Sequence, residues 1–217
     1  GGPAGSTFAS VAAAKGMSVL VIEKRKEIGA PVRCGEGLAE HWDEGRIPLK
    51  LPQRALENSF KIGGAALYGP KMQKISVRNE HTHGWVLDRK VFDKSLAFEA
   101  GRQGATILPK TRVTTLLTKE GKPSGVKAVR MDEELEFHAP LIVSAEGMEN
   151  LVARQAGFQA VASLYDVDTC VQYEMVGVDC EDLIEIYFGS VAPRGYVWVF
   201  PKGKDTANVG IGVGGLT

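Results

Sequence analysis

The apolar positions change period along the chain, and each change marks an element. Ser6 to Lys15 is alanine-rich and predicts a helix that Gly16 can end. The unbroken run Val19-Leu20-Val21-Ile22 then predicts a fully buried parallel strand closed by Glu23. Glu27 to Gly37 is too rich in Gly and Pro for a regular element and reads as a functional loop. Pro48 and Pro52 interrupt the stretch from Leu38 to about Leu56, and between Phe60 and Val77 apolar residues separated by glycines and polar residues predict short strands. Asp88 to Gly101 predicts a helix, because Phe92, Leu96 and Ala100 form an i, i+4 stripe that Gly101 or Gly104 can end. Consecutive strands are predicted over 105–108, 112–119, 126–130, 135–138 and 141–145, with 120–125 as a turn. From Cys170 onward Val171, Tyr173 and Met175 alternate with polar positions, and strands over 183–188 and 196–200 follow.

A parallel start, then an antiparallel meander returning through Leu141-Ile142-Val143-Ser144-Ala145 to Glu146-Gly147, is the layout of a mixed α/β (α+β) dinucleotide fold. Specifically, it resembles the Rossmann-like domain of the flavin monooxygenase, p-hydroxybenzoate hydroxylase-like type. The residues ahead of the first helix agree. Gly1-Gly2-Pro3-Ala4-Gly5 matches the last five positions of G-x-G-x-x-G, where Gly2 would let the backbone approach a pyrophosphate and Gly5 would let the helix pack closely. The first glycine and its strand do not precede them, so the chain is expected to be truncated there. Pro3-Ala4 is a variant associated with flavin rather than nicotinamide sites. Glu23, about twenty positions on, stands where an acid accepts hydrogen bonds from ribose hydroxyls; the alternative is a strand-end carboxylate paired with Lys24 or Arg25. Residues 1–160 are expected to form the FAD-binding domain, with 50–85 assignable to either domain, and 161–217 to begin an antiparallel substrate domain.

Composition narrows the partners. With 26 Lys+Arg against 26 Asp+Glu and no basic stripe among aromatics, no nucleic acid partner is expected. The apolar runs are of strand length, so no membrane span is expected, although a surface that takes lipid from a bilayer needs none. Three scattered cysteines, Cys34, Cys170 and Cys180, form no C-x-x-C pair and suit a reducing cytoplasm. No metal is expected: His81-Thr82-His83 has ligand-like spacing, but no cysteine or carboxylate set completes a site, and a solvated loop is the simpler reading.

Three blocks carry a family resemblance. Pro31-Val32-Arg33-Cys34-Gly35-Glu36-Gly37, Asp88-Arg89-Lys90-Val91-Phe92-Asp93, and Gly195-Tyr196-Val197-Trp198-Val199-Phe200-Pro201-Lys202-Gly203 with Ala207-Asn208-Val209-Gly210-Ile211-Gly212 resemble the geranylgeranyl reductases, in particular their archaeal type. The resemblance implies an FAD enzyme that saturates geranylgeranyl chains of membrane lipids, works in the cytoplasm at the membrane periphery, and draws electrons from a carrier such as ferredoxin or from NAD(P)H. It places FAD contacts at Ala4, at Glu23, at Cys34, Gly35 and Gly37 beside the flavin, at Arg89 near the pyrophosphate and at Val113 near the adenine. Glycines at 35 and 37 would let backbone N–H groups approach a flat ring or an anion, and Arg89 could clamp phosphate oxygens bidentately. An Arg89–Asp93 salt bridge on one helix face is the alternative.

Cys34, flanked by Arg33 and glycines, would be an exposed thiol at the flavin, acting on it or on the substrate alkene; otherwise it is a small buried hydrophobe. Tyr196, Trp198 and Phe200 alternate along one strand and so share a face, which would line a hydrocarbon-binding cavity or would merely pack a core. Two departures from related flavoproteins stand out. Glu146-Gly147 replaces their usual Asp-Gly, and the chain stops before their second Gly-Asp motif. The rival readings are an FAD-dependent aromatic hydroxylase or halogenase on the same fold, and a non-catalytic fragment binding lipid or nucleotide.

Overall fold

The computed structural model describes residues 1–39, 51–78, 84–159 and 163–215. The elements run α1 (Pro3–Ala14), β1 (Leu20–Ile22), β2 (Gly37–Ala39), α2 (Gln53–Glu57), β3 (Phe60–Ile62), β4 (Gly64–Tyr68), β5 (Lys74–Arg78) and β6 (Gly84–Val86). There follow α3 (Arg89–Arg102), β7 (Thr106–Leu108), β8 (Thr111–Lys119), β9 (Lys122–Arg130), β10 (Glu133–His138) and α4 (Leu151–Gln155). The last strands are β11 (Asp168–Val176), β12 (Leu183–Tyr187), β13 (Tyr196–Pro201) and β14 (Thr206–Gly214). The chain divides into two compact units, one of residues 1–32 and 89–161, the other of 33–88 and 162–217. Among the described residues no helix is long and apolar enough to cross a membrane.

In the first unit α1 begins at Pro3, three residues before the alanine-rich stretch, because proline's fixed φ and missing N–H suit the first helical position. It ends in a Schellman arrangement: Gly16, at φ +82°, donates to Ala13 O and Met17 donates to Ala12 O. Ala9 and Ala13 of α1 meet Ala100 of α3 and Ala105, and small side chains on both helices let the backbones approach closely. The predicted stripe of α3, Phe92, Leu96 and Ala100, is buried throughout. β1 pairs in parallel with β7, Leu20 opposite Thr106. It is not fully buried as its sequence predicts. The described sheet has these two strands only, and Leu20 remains 40% exposed.

The meander forms as its pattern predicts, β8, β9 and β10 pairing antiparallel. Its turns are tighter than the six residues expected for the first. Glu120–Gly121 and Met131–Asp132 each place both residues at positive φ, the requirement of a two-residue type I′ turn, whose twist matches that of the strands it joins. The predicted return strand 141–145 is not a strand: it finds no ladder partner among the described residues, and while Ile142 packs on the cluster of Leu116, Val126 and Val152, Leu141 and Val143 face solvent.

The second unit holds a six-stranded sheet in the order β11-β14-β13-β12-β4-β5, with β4 parallel to β12 and every other pair antiparallel. β4 and β5, from within 50–85, thus share a sheet with the C-terminal strands. Three short strands, β2-β6-β3, form a second sheet. Register sets Tyr196, Trp198 and Phe200 of β13 opposite Gly212, Gly210 and Asn208 of β14. The residues of β13 and β14 that share this face are therefore rings on one strand and small or polar residues on the next.

Candidate functional site

The dinucleotide turn lies in the first unit. No side chain caps α1, and the first intrahelical bond runs from Ser6 N–H to Gly2 O, leaving the N–H groups of Ala4 and Gly5 without intrahelical partners at the positive end of the helix dipole. A Cβ added to Gly2 would meet nothing within 4 Å, so there is room above the turn. On Gly5 it would stand 3.4 Å from Ala145 Cβ, the close packing expected of the motif's last glycine. Glu23 folds back onto the turn: its Oε2 is 3.1 Å from Gly1 N, and its Oε1 accepts the Arg25 N–H at 2.7 Å. It does not pair with Lys24, which bridges to Glu149 instead. Free backbone donors, open space and an adjacent carboxylate are what a dinucleotide's phosphate and ribose require, so the turn fits FAD.

Two further predicted FAD contacts stand in the same unit. Arg89 opens α3, where its Nε and Nη2 bind Asp93 Oδ1 and Oδ2 at 2.7 and 3.0 Å, the intrahelical pairing. Val113 sits beside a β-bulge at Thr114, with its side chain against the core cluster, so any ligand contact from it would come from the backbone. Glu146, in place of aspartate, turns its longer side chain to α4: its Oε2 accepts from Ser144 Oγ at 2.8 Å and from the N–H groups of Val152 and Ala153 at 2.9 and 3.4 Å.

The second constellation lies wholly within the second unit, where the Cys34 loop rests on the six-stranded sheet. A Cβ on Gly35 would fall 2.9 Å from Phe200 Cε2, and one on Gly37 would fall 3.2 Å from it. The flat ring these glycines approach in the structure is thus Phe200. Trp198, 8% exposed, lies across β14, where a Cβ on Gly210 would stand 2.2 Å from its Cζ2. Its indole N–H donates to Gln172 Oε1 at 2.8 Å, and Gln172 Nε2 donates to Cys34 O at 3.0 Å, so one amide ties ring to loop. Tyr196 remains 41% exposed and packs edge-on against Trp198, with ring centroids 5.9 Å apart. Of the three aromatics, two are packed within the unit and one offers an open apolar surface. Cys34 is half-buried, its Sγ accepting the Glu36 N–H at 3.2 Å.

Sequence reasoning missed the polar group beneath this loop. Glu36, 2% exposed, receives Lys202 Nζ and Asn208 Nδ2 on Oε2, both at 2.7 Å, and Lys202 also reaches Glu174 at 3.0 Å. Burial opposes the charge on Lys202, but the hydrogen bonds it donates to Glu36 and Glu174 outweigh it and raise the ammonium's pKa above its usual value. The only sequence signal was a carboxylate between two glycines, with Asn208 and Lys202 in the blocks that carried the resemblance. His81 and His83 lie outside the described residues.

Comparison with known proteins identifies the family. Residues 1–179 match the family described as FAD binding domain, and 166–217 match the geranylgeranyl reductase catalytic domain. The chain is 39% identical to the digeranylgeranylglycerophospholipid reductase of Methanosarcina acetivorans, over 98% of this chain and 52% of the relative. It is 40% identical to the Thermoplasma acidophilum protein of that name, over 98% and 54%. The chain spans about half the length of the curated relatives it matches. A solved geranylgeranyl bacteriochlorophyll reductase-like protein from Thermoplasma acidophilum superposes at a TM-score of 0.89 with 38% identity, covering 99% of this chain and 55% of that one. A myxobacterial chondrochloren halogenase, 21% identical at a TM-score of 0.74 over 99% of this chain and 51% of its own, shares the fold alone.

Proposed function

Because the chain belongs to the FAD binding domain family, we propose that it is the cofactor-binding and substrate-facing part of a reductase that saturates double bonds in the geranylgeranyl chains of membrane glycerophospholipids. The observation that supports this reading is the seating of the P-V-R-C-G-E-G loop on the Y-x-W-x-F-P strand: the two blocks that carry the resemblance to the geranylgeranyl reductases pack together, with Gly35 and Gly37 against Phe200 and Gln172 joining Trp198 to Cys34. The relatives' names point to the same substrate class.

The cofactor is FAD. When bound in reduced form it supplies the hydride that adds to one alkene carbon while a proton adds to the other. The free N–H groups of Ala4 and Gly5 bind phosphate oxygens, and Glu23 accepts from ribose hydroxyls. In the second unit Tyr196 offers its exposed ring to an apolar chain and, backed by buried Trp198, keeps water from that side. Cys34 holds its sulfur against the Glu36 N–H, and its thiol is the group nearest in kind to a proton source for the alkene. Electrons come from a reduced ferredoxin or from NAD(P)H, and the lipid is met at a membrane surface from the cytoplasmic side.

The test is anaerobic and uses the full-length protein. Its FAD is reduced chemically, a digeranylgeranyl glycerolipid is added, and flavin reoxidation is followed together with lipid mass, which should rise by about two units per bond, one H₂ equivalent for each flavin turnover. Cys34→Ser should retain FAD and lower the rate or change how many bonds are saturated. Reoxidation by oxygen with a phenol, and none by any polyprenyl lipid, would assign the protein to the aromatic hydroxylases. Absence of bound flavin and of turnover would make it a binding module.

A further inference from the structure

Glu36 combines two unfavourable features at one position. It adopts φ +74°, a region that glycine enters freely and glutamate does not, and its carboxylate is buried at 2% exposure. Glycines stand on both sides, so a third would have relieved strain and burial together. Strain of this kind persists only where surrounding contacts over-determine it, and it gathers at functional sites. Here those contacts are specific. Oε2 accepts two donors at 2.7 Å, from Lys202 at the end of the aromatic strand and from Asn208, 1% exposed, on the strand beside it. The same Asn208 amide lies 3.3 Å from Gly35 O, and the Glu36 carbonyl accepts the Leu87 N–H at 2.8 Å.

Every residue from Cys34 to Glu36 is therefore held through its backbone, and the Sγ of Cys34 rests on the N–H of the residue that the carboxylate anchors. We infer that Glu36, clamped by Lys202 and Asn208, is a positioning residue for the Cys34 thiol: it fixes the loop so that the sulfur has one exposure and one direction. Its consequence for alkene reduction rests on the reading given above. The clamp itself does not.

The experiment is thiol labelling in the full-length protein. Iodoacetamide alkylation is followed peptide by peptide by mass spectrometry, with exposed Cys170 as the internal control. Glu36→Gln keeps the shape of the side chain but removes the charge that holds Lys202, and Lys202→Met removes the partner. Each should speed alkylation of Cys34 at least about tenfold through local opening of the loop, with Cys170 unchanged. Lys202→Arg, which retains the cation, should restore slow labelling. Unchanged Cys34 labelling in a Glu36→Gln protein with native circular dichroism would overturn the inference. If the variants do not fold, hydrogen exchange of the unmutated protein decides. Glu36 and Leu87 amides protected like those of β13 and β14 support the clamp, and exchange at the rate of exposed loop amides refutes it. Failure of the whole protein to reduce any polyprenyl lipid would leave the labelling result intact and would count against the proposed function alone.

Discussion

The two constellations are built on opposite plans. At the dinucleotide turn glycine marks space: nothing stands near Gly2, and the useful groups are backbone donors on one short stretch of chain. At the Cys34 loop glycine marks contact: Gly35, Gly37 and Gly210 are pressed against Phe200 and Trp198, and the useful groups are side chains brought from more than a hundred residues away. The same residue type therefore fails differently in the two places. Substitution at Gly2 should damage ligand binding and spare the fold, whereas substitution on the sheet should damage the fold first.

The largest effect is expected at Gly210. An alanine Cβ there would collide with the Trp198 ring at 2.2 Å and with Val171 O at 2.8 Å, so Gly210→Ala should cost about 2–3 kcal/mol by overpacking, measured as a lowered urea midpoint at unchanged m-value. A midpoint within error of the parent would show that the ring moves freely and that the contrast is false. Next comes Lys202→Met, which leaves the buried Glu36 carboxylate with Asn208 as its remaining donor from the clamp; a loss of about 2 kcal/mol is expected by the same assay.

Glu23→Ala should leave stability nearly unchanged and weaken FAD by about 1.5–3 kcal/mol, the scale of a hydrogen bond to a charged group, read by fluorescence titration of the flavin. Destabilisation without loss of affinity would make Glu23 a structural partner of the turn. The smallest effect concerns pH. The folded ammonium of Lys202 binds its proton more tightly than the unfolded one, so its contribution is fully present below the ordinary lysine value of 10.5 and drains away as pH rises above it toward the raised folded value. Urea midpoints measured across that range should fall more steeply in the parent than in Lys202→Met.

What could be read from the sequence follows the same divide. The helix after the glycines, the stripe of α3 and the meander were legible because each is a local period of 3.6 or 2 over consecutive residues. The run 141–145 carried a strand's composition yet finds no ladder partner among the described residues, since a strand is defined by its partner and composition does not supply one. Glu36 was hidden because its partners lie 166 and 172 residues away, on strands whose register no local pattern reveals. A clue was present in Gly210 and Gly212, alternating on the strand beside Trp198; small residues paired with a large ring are a signature of cross-strand stacking.

The parallel pairing of β4 with β12 also sets an order of assembly. The two β-hairpins of the meander close across two-residue turns and can form within about 1–10 μs, needing nothing from the rest of the chain. The β4–β5 hairpin must instead wait for a strand that emerges roughly 120 residues later, some 6–24 s at a synthesis rate of about 5–20 residues per second. Throughout that interval one edge of β4 is presented to solvent without its parallel partner. The unit that houses the thiol is thus the one exposed to chaperones and to mispairing during translation, and pulsed hydrogen exchange should find β8 to β10 protected well before β4 and β12.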